Sequence, residues 1–214
     1  MAKPQPAEEK RPAPRLYLVT PVIEDAAAFA GKLRDALDNA DVAAVLLRLK
    51  EAGERDLINR IKVLAPVAQG KDVALVVDGH ADAAVKGSAD GAHLTGIDAF
   101  RASVGQLKPA RIAGCGGLPS RDDAMGAGEA GADYVMFGDA KAGERRPSFD
   151  AILERIEWWA QLFQIPCVGF AATTAEIGPL AAAGADFIAV EHIWDEPRGA
   201  VAEAAAALAQ PVQA

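Results

Sequence analysis

The stretch Val73-Ala-Leu-Val-Val-Asp-Gly-His-Ala-Asp-Ala-Ala-Val-Lys-Gly-Ser-Ala-Asp-Gly-Ala-His-Leu94 decides how this chain folds. It opens with the apolar run Val73–Val77 and stops at Asp78. Ala81–Gly87, rich in alanine, reads as a helix. Ser88-Ala-Asp90 supplies a tight turn, and Gly91–Leu94 begins a second short run. The opening run does not alternate apolar with polar residues, so it reads as a strand buried on both faces. Such strands belong to parallel sheets, which are connected through helices.

The same strand–helix unit recurs on both sides. Short runs lie at Leu16–Thr20, Val42–Leu47, Val73–Val77, Gly91–Leu94, Arg111–Ala113, Tyr134–Phe137, Cys167–Phe170 and Phe187–Val190. Helical stretches separate them at Asp25–Asp38, Glu54–Gln69, Ala81–Gly87, Asp98–Leu107, Ser120–Ala130, Phe149–Phe163 and Thr174–Ala183, and Gly199–Ala209 follows. Eight such units predict an α/β fold, a (β/α)8 TIM barrel formed as a single domain by residues 15–214. An open doubly wound sheet is the alternative, but no strand runs into G-x-G-x-x-G at a helix start. Gly131-Ala-Asp133 and Gly184-Ala-Asp186, with the near copy Ser88-Ala-Asp90, each precede a strand. Each fits a helix C-cap with a turn into the next strand, which places these aspartates at the amino ends of strands with structural roles.

Composition narrows the classes. A formal net charge of −8 argues against a broad basic surface and thus against nucleic acid as a partner. No apolar run is long enough to span a bilayer, so no membrane association is expected. Residues 1–14 are rich in Pro, Lys and Glu and read as a disordered tail. Cys115 and Cys167 lack metal-site spacing, read as buried core residues, and fit a reducing, cytoplasmic setting. The adjacent Trp158 and Trp159 read as an outer-helix packing pair, with a homo-oligomer interface as the other reading.

Charged residues gather where parallel strands end, which is where α/β folds place their chemistry. Arg48 and Lys50 follow Val42–Leu47 two residues apart and share one side of an extended segment. Asp78 and Asp98 follow two neighbouring strands, roughly 4.8 Å apart. Two carboxylates at that range repel unless a cation lies between them, and Mg²⁺ with a diphosphate ligand would relieve the conflict. The plainer readings are an N-cap for Asp98 and a turn residue for Asp78. Gly114-Cys-Gly-Gly117 would let backbone N–H groups, at Gly116 and Gly117 in particular, approach a phosphate. Lys141, Arg145 and Arg146 follow the sixth strand in a polar loop that could close over an anion, and solvated loop charge is the plainer reading for Lys141 and Arg145. His93 reads as a packed core residue, His80 as a loop contact, and His192 as a ligand contact after the last strand.

These segments together resemble the thiamine-phosphate synthase family and its relatives, the thiazole tautomerases. The resemblance rests on Leu16-Tyr-Leu-Val-Thr20, Leu46-Leu-Arg-Leu-Lys50, Val76-Val-Asp78, Ala89-Asp-Gly-Ala-His-Leu94 with Asp98, Gly131-Ala-Asp-Tyr-Val135 and Gly184-Ala-Asp186. It implies a (β/α)8 barrel that joins an aminopyrimidine diphosphate to a thiazole phosphate and releases diphosphate. It further implies Mg²⁺ held by Asp78 and Asp98, with Arg48 and Lys50 on the diphosphate, so that small phosphorylated substrates are the partners. The chain departs from the family pattern at several places. Leu46 stands for the motif's Gln and Val77 for its Asn. Gly116-Gly117 covers the place of a serine, Gly143–Arg146 that of a Thr-x-Thr-Lys loop, and Ala171-Ala172 that of a Gly-Gly pair. His192 lies near the place of a further serine, and Pro119 stands near the tautomerases' histidine. A non-catalytic barrel that binds a phosphorylated thiamine precursor is therefore the alternative to a divergent synthase.

Overall fold

The computed structural model describes residues 12–139 and 145–209. Most of the expected tail, and Lys141, fall outside the described residues.

Eight parallel strands close into one barrel in sequence order. They are β1 (Arg15–Val19), β2 (Val42–Leu47), β3 (Ala74–Asp78), β4 (Gly91–Thr95), β5 (Ile112–Gly116), β6 (Tyr134–Phe137), β7 (Cys167–Ala171) and β8 (Phe187–Val190). The helices between and after them are α1 (Ala26–Leu37), α2 (Glu54–Gln69), α3 (Ala81–Lys86), α4 (Ile97–Leu107), α5 (Arg121–Glu129), α6 (Phe149–Leu162), α7 (Ile177–Ala182) and α8 (Pro197–Ala209). The (β/α)8 expectation is met, and the elements fall close to where the apolar runs put them. Beyond short shifts at element ends, the larger departures are at β5, which extends through Gly116, and at Thr174–Ala183, where a 3₁₀ turn, Thr174–Glu176, precedes α7.

The strands lack alternation because both faces are buried. One face packs on the helices through residues such as Leu18, Val45, Leu75 and Ile188. The other fills the barrel with Tyr17, Val19, Leu46, Val76, Tyr134, Met136, Val168 and Ala189. Small residues in the lower barrel, Ala44 and Ala74 among them, leave an apolar cavity of about 240 Å³ beside Ile112 and Phe187. That cavity lies at the amino ends of the strands, away from the chemistry.

The three turn aspartates are structural, as expected. Asp90 accepts a hydrogen bond from the Leu75 amide at 2.7 Å, Asp133 from the Ala113 amide at 2.7 Å, and Asp186 from the Cys167 amide at 2.8 Å. Each carboxylate thus ties the start of its own strand to the start of the preceding one. The residue two places earlier, Ser88, Gly131 or Gly184, has positive φ and makes the reversal. Trp159 is fully buried, and its indole N–H donates to the Ile165 carbonyl at 2.8 Å. Trp158 stacks edge-on against it and under the Arg121 guanidinium. Packing therefore accounts for both tryptophans.

Candidate active site

The period of two along a strand carries the inward rows out of the barrel and onto its carboxyl-terminal rim. Ala44 and Leu46 point inward, and Arg48 continues their row. Val76 leads to Asp78, and Ala189 leads to Glu191. Arg48 unites the three: its Nε lies 3.8 Å from Asp78 Oδ2, and its Nη1 lies 2.8 Å from Glu191 Oε1. The Arg48 amide donates to the Thr20 hydroxyl at 3.0 Å, which fixes the strand end. Arg48 and Asp78, both expected from sequence, are thus brought together. Glu191 was missed, although it directly follows an apolar strand as Asp78 does.

Lys50 sits at the same rim but takes a different partner. A bridge between Leu49 and Ile23 extends the β2 segment, and Lys50 Nζ meets Glu24 at 2.7 Å in an exposed pair. That pair holds the Glu24 carboxyl below its usual range, chiefly through the hydrogen bond from Lys50. Asp98 lies three residues past the end of β4 and is not an N-cap. Gly96, with φ of 93°, is the N-cap of α4, and Asp98 is an exposed residue of that helix's first turn. A carboxylate there is favoured by the helix dipole.

Among the described residues, no cluster of three or more His, Cys, Asp or Glu side chains could hold a metal. Mg²⁺, however, is commonly bound through one or two carboxylates, with water and phosphate oxygens completing an octahedron. Asp78, 32 % exposed at the rim and 3.8 Å from the nearest Arg48 nitrogen, suits that kind of site.

At the end of β5, where amides were expected to approach a phosphate, the Gly117 amide already has a partner within the protein. Asp139, just past β6, turns its carboxylate onto the Gly117 amide at 2.8 Å. A Cβ on Gly116 would lie 2.3 Å from Asp139 Oδ2 and 2.6 Å from His93 Nε2. Gly116 is therefore a glycine to make room for protein side chains. Gly114 is similar, because the Tyr134 ring crosses it. His93 is buried, as expected of a core residue, and its Nδ1 lies 2.9 Å from the Tyr134 hydroxyl. That hydroxyl is 2.8 Å from the Tyr17 hydroxyl. Burial raises both phenols well above their ordinary pKa, so they stay neutral in the barrel. Asp139, 12 % exposed and 3.9 Å from His93 Nε2, joins this buried polar chain to the rim.

Arg146, expected to meet an anion, has one within the protein. Its guanidinium makes a two-pronged pair with Glu176 at 3.0 and 2.7 Å and donates to the carbonyls of Gly138 and Phe170 at 3.1 and 2.8 Å. Glu176 Oε2 additionally accepts the Ala172 amide at 2.8 Å. His192 is exposed beside this group, its Nε2 3.1 Å from the Thr174 hydroxyl. His80 faces Glu51 at 3.7 Å.

Residues 16–192 match the family model described as thiamine monophosphate synthase. The chain belongs to that family. It is 40% identical over 195 residues to a thiamine-phosphate synthase of Rhodospirillum centenum, covering 89% of this chain and 94% of the relative. A thiamine-phosphate synthase of Hyphomonas neptunium is 37% identical over 203 residues, covering 91% and 92% of the two chains. The solved thiamine phosphate pyrophosphorylase from Pyrococcus furiosus superposes with a TM-score of 0.75 at 24% identity, over 91% of this chain and 95% of that one. Orotidine 5'-phosphate decarboxylase from Pyrococcus horikoshii shares the barrel at a TM-score of 0.64 and 14% identity, covering 91% and 100%. At that identity only the fold is shared.

Proposed function

We propose that this chain is a thiamine-phosphate synthase that joins an aminopyrimidine diphosphate to a thiazole phosphate. The family match over residues 16–192, with relatives of that name at up to 40% identity, carries this reading. The rim arrangement of Arg48 and Asp78 is consistent with it.

In the reaction the thiazole nitrogen bonds to the carbon that carries the diphosphate. The carbon–oxygen bond to diphosphate breaks and takes its electron pair with it. Negative charge grows on the leaving group, and Arg48 is the fixed cation nearest to Asp78 that can meet it. Lys50, with its own exposed Glu24 partner, is the second cation and swings on a flexible stem. Asp78 and Asp98 would hold Mg²⁺, which when bound neutralises charge on the diphosphate. Since the substrate's nitrogen is the nucleophile, the protein need not supply one. The buried Tyr17–Tyr134–His93 chain below the rim, with both phenols neutral, gives the organic part of the substrate a floor. Leu46 contributes an apolar surface to the same floor.

A binding protein without turnover is the second reading. It is favoured by the internal carboxylates on Gly117 and Ala172, which take up amides at the strand ends. Incubation with both substrates and Mg²⁺ separates the two. Product and diphosphate appearing in equal amounts, above an Asp78→Ala control, support the synthase. Ligand-dependent thermal stabilisation with no product above that control supports binding alone.

A further inference from the structure

A (β/α)8 barrel is ordinarily filled by layers of bulky inward side chains. The lowest layer of this barrel departs from that rule. Ala44 on β2 and Ala74 on β3 are register partners on the inward face, and the cavity of about 240 Å³ lies against them. Its roof is aromatic, with the Tyr17 and Tyr134 rings meeting edge to face at a centroid distance of 5.8 Å. Ile112 and Phe187 wall its sides. Both tyrosines are buried, whereas Ala74, Ile112 and Phe187 are half-buried, so the cavity opens to solvent at the amino ends of the strands.

The polar side chains of that wall already have partners. The two phenol oxygens lie 2.8 Å apart, and that of Tyr134 is also 2.9 Å from His93 Nδ1. Asp133 is the one charged residue among those described along the cavity, and both its oxygens are taken, by the Ala113 amide at 2.7 Å and by Lys108. Among the described residues, no buried side-chain nitrogen or oxygen lacks a hydrogen bond. An ion placed here would give up its hydration and find no counter-charge. An apolar body would exchange water for contact with three aromatic rings and the aliphatic wall. Volume sets the size, since a cavity of roughly 150 Å³ takes a benzene. The larger space here suits about two fused rings.

We propose that this cavity is a second binding site, at the end of the barrel opposite the rim, for a small uncharged aromatic molecule held by shape and apolar contact. Its occupant lies directly beneath the chain of Tyr17, Tyr134 and His93 that leads to Asp139 at the rim. The site does not depend on what reacts there, so it stands apart from the synthase reading.

The test exploits a feature of the composition. Tyr17 and Tyr134 are the only two tyrosines of the chain, and both roof the cavity. Selective labelling of tyrosine rings therefore gives NMR signals from this place alone. Indole is the probe, and benzoate, a flat ring that carries a charge, is the counter-probe. Indole titrated into the full chain should move the ring signals of both tyrosines along one saturable curve. It should also raise the melting temperature by roughly 3–6 °C at about ten times its Kd. Benzoate at the same concentration should do neither. Ala74→Leu fills the cavity and should abolish both indole responses. Should Ala74→Leu not fold, Ala44→Val narrows the same space and should weaken indole binding by about tenfold. Tyrosine signals that stay still, a benzoate response equal to that of indole, or an indole response that is undiminished in the folded variant overturns the proposal. No turnover is read, so failure of the synthase reading leaves this result intact.

Discussion

Gly116→Ala probes the most crowded point of the rim. The added Cβ would sit 2.3 Å from Asp139 Oδ2 and 2.6 Å from His93 Nε2, both far inside contact distance. His93 cannot retreat easily, because it is 2 % exposed and bound to Tyr134 at 2.9 Å. Asp139 turns on two torsions and is the side chain that yields, giving up the Gly117 amide. Losing a hydrogen bond to a charged group costs about 1.5–3 kcal/mol. Overpacking a filled site costs about 1–3 kcal/mol. The two costs are alternative outcomes of one clash, so about 1–3 kcal/mol is expected. For a chain of this size that lowers the melting temperature by roughly 2–12 °C. Urea unfolding of Gly116→Ala, Asp139→Ala and the double variant is the assay. The double variant should be less destabilised than the sum of the singles, because removing the carboxylate relieves most of the clash. A Gly116→Ala variant within about 0.5 kcal/mol of wild type would refute the claim that this glycine exists to admit Asp139 and His93. It would return the loop to its reading as an open phosphate cradle.

Other consequences follow from the same contacts. Asp186→Ala removes the carboxylate that accepts from the part-buried Cys167 amide and should cost about 1–3 kcal/mol in urea unfolding, with the barrel otherwise intact. The Glu176 carboxyl is depressed in the folded state, so its contribution is full above the unfolded carboxylate range, near the ordinary value of 4.5. That contribution fades as the pH falls through the lower folded value. Stability measured from pH 7 to pH 3 should therefore decline more steeply at the acid end in the wild type than in Glu176→Gln. Trp159→Ala empties a fully buried site under α6 and should destabilise by about 3–5 kcal/mol, whereas Trp158→Ala should cost much less, as thermal unfolding of the two variants will show.

The fold was legible because its signal is physical and repeated. Runs such as Val42–Leu47 must be apolar on both faces of the barrel wall, and eight of them alternating with helices, without a dinucleotide fingerprint, favour a barrel over an open sheet. The β5 strand was read short because Gly114 and Gly116 have no side chains to form a pattern. Their identity is set by Tyr134, Asp139 and His93, which approach from other strands. Arg48 and Asp78 could be found because each continues an inward row past an apolar strand. Glu191 carries the same signal and was passed over for its neighbour His192. Asp139 and Glu176 were not legible, since single carboxylates in loops become informative only beside their partners. Those partners are an amide 22 residues away for Asp139 and a guanidinium 30 residues away for Glu176. Arg146 was recognised as an anion-binding side chain, but the anion it binds belongs to the protein.

The central claim is that Arg48 stabilises a departing diphosphate at the rim, with Asp78 serving a Mg²⁺ ion. Its most direct test is the rate of diphosphate release from the aminopyrimidine diphosphate and thiazole phosphate pair as Mg²⁺ is varied. The wild type should turn over with saturable Mg²⁺ dependence. Arg48→Met should lower kcat by about 10²–10³, and Asp78→Asn should shift the Mg²⁺ requirement upward. A folded wild type that releases no more diphosphate than Asp78→Asn at any Mg²⁺ concentration would contradict the account.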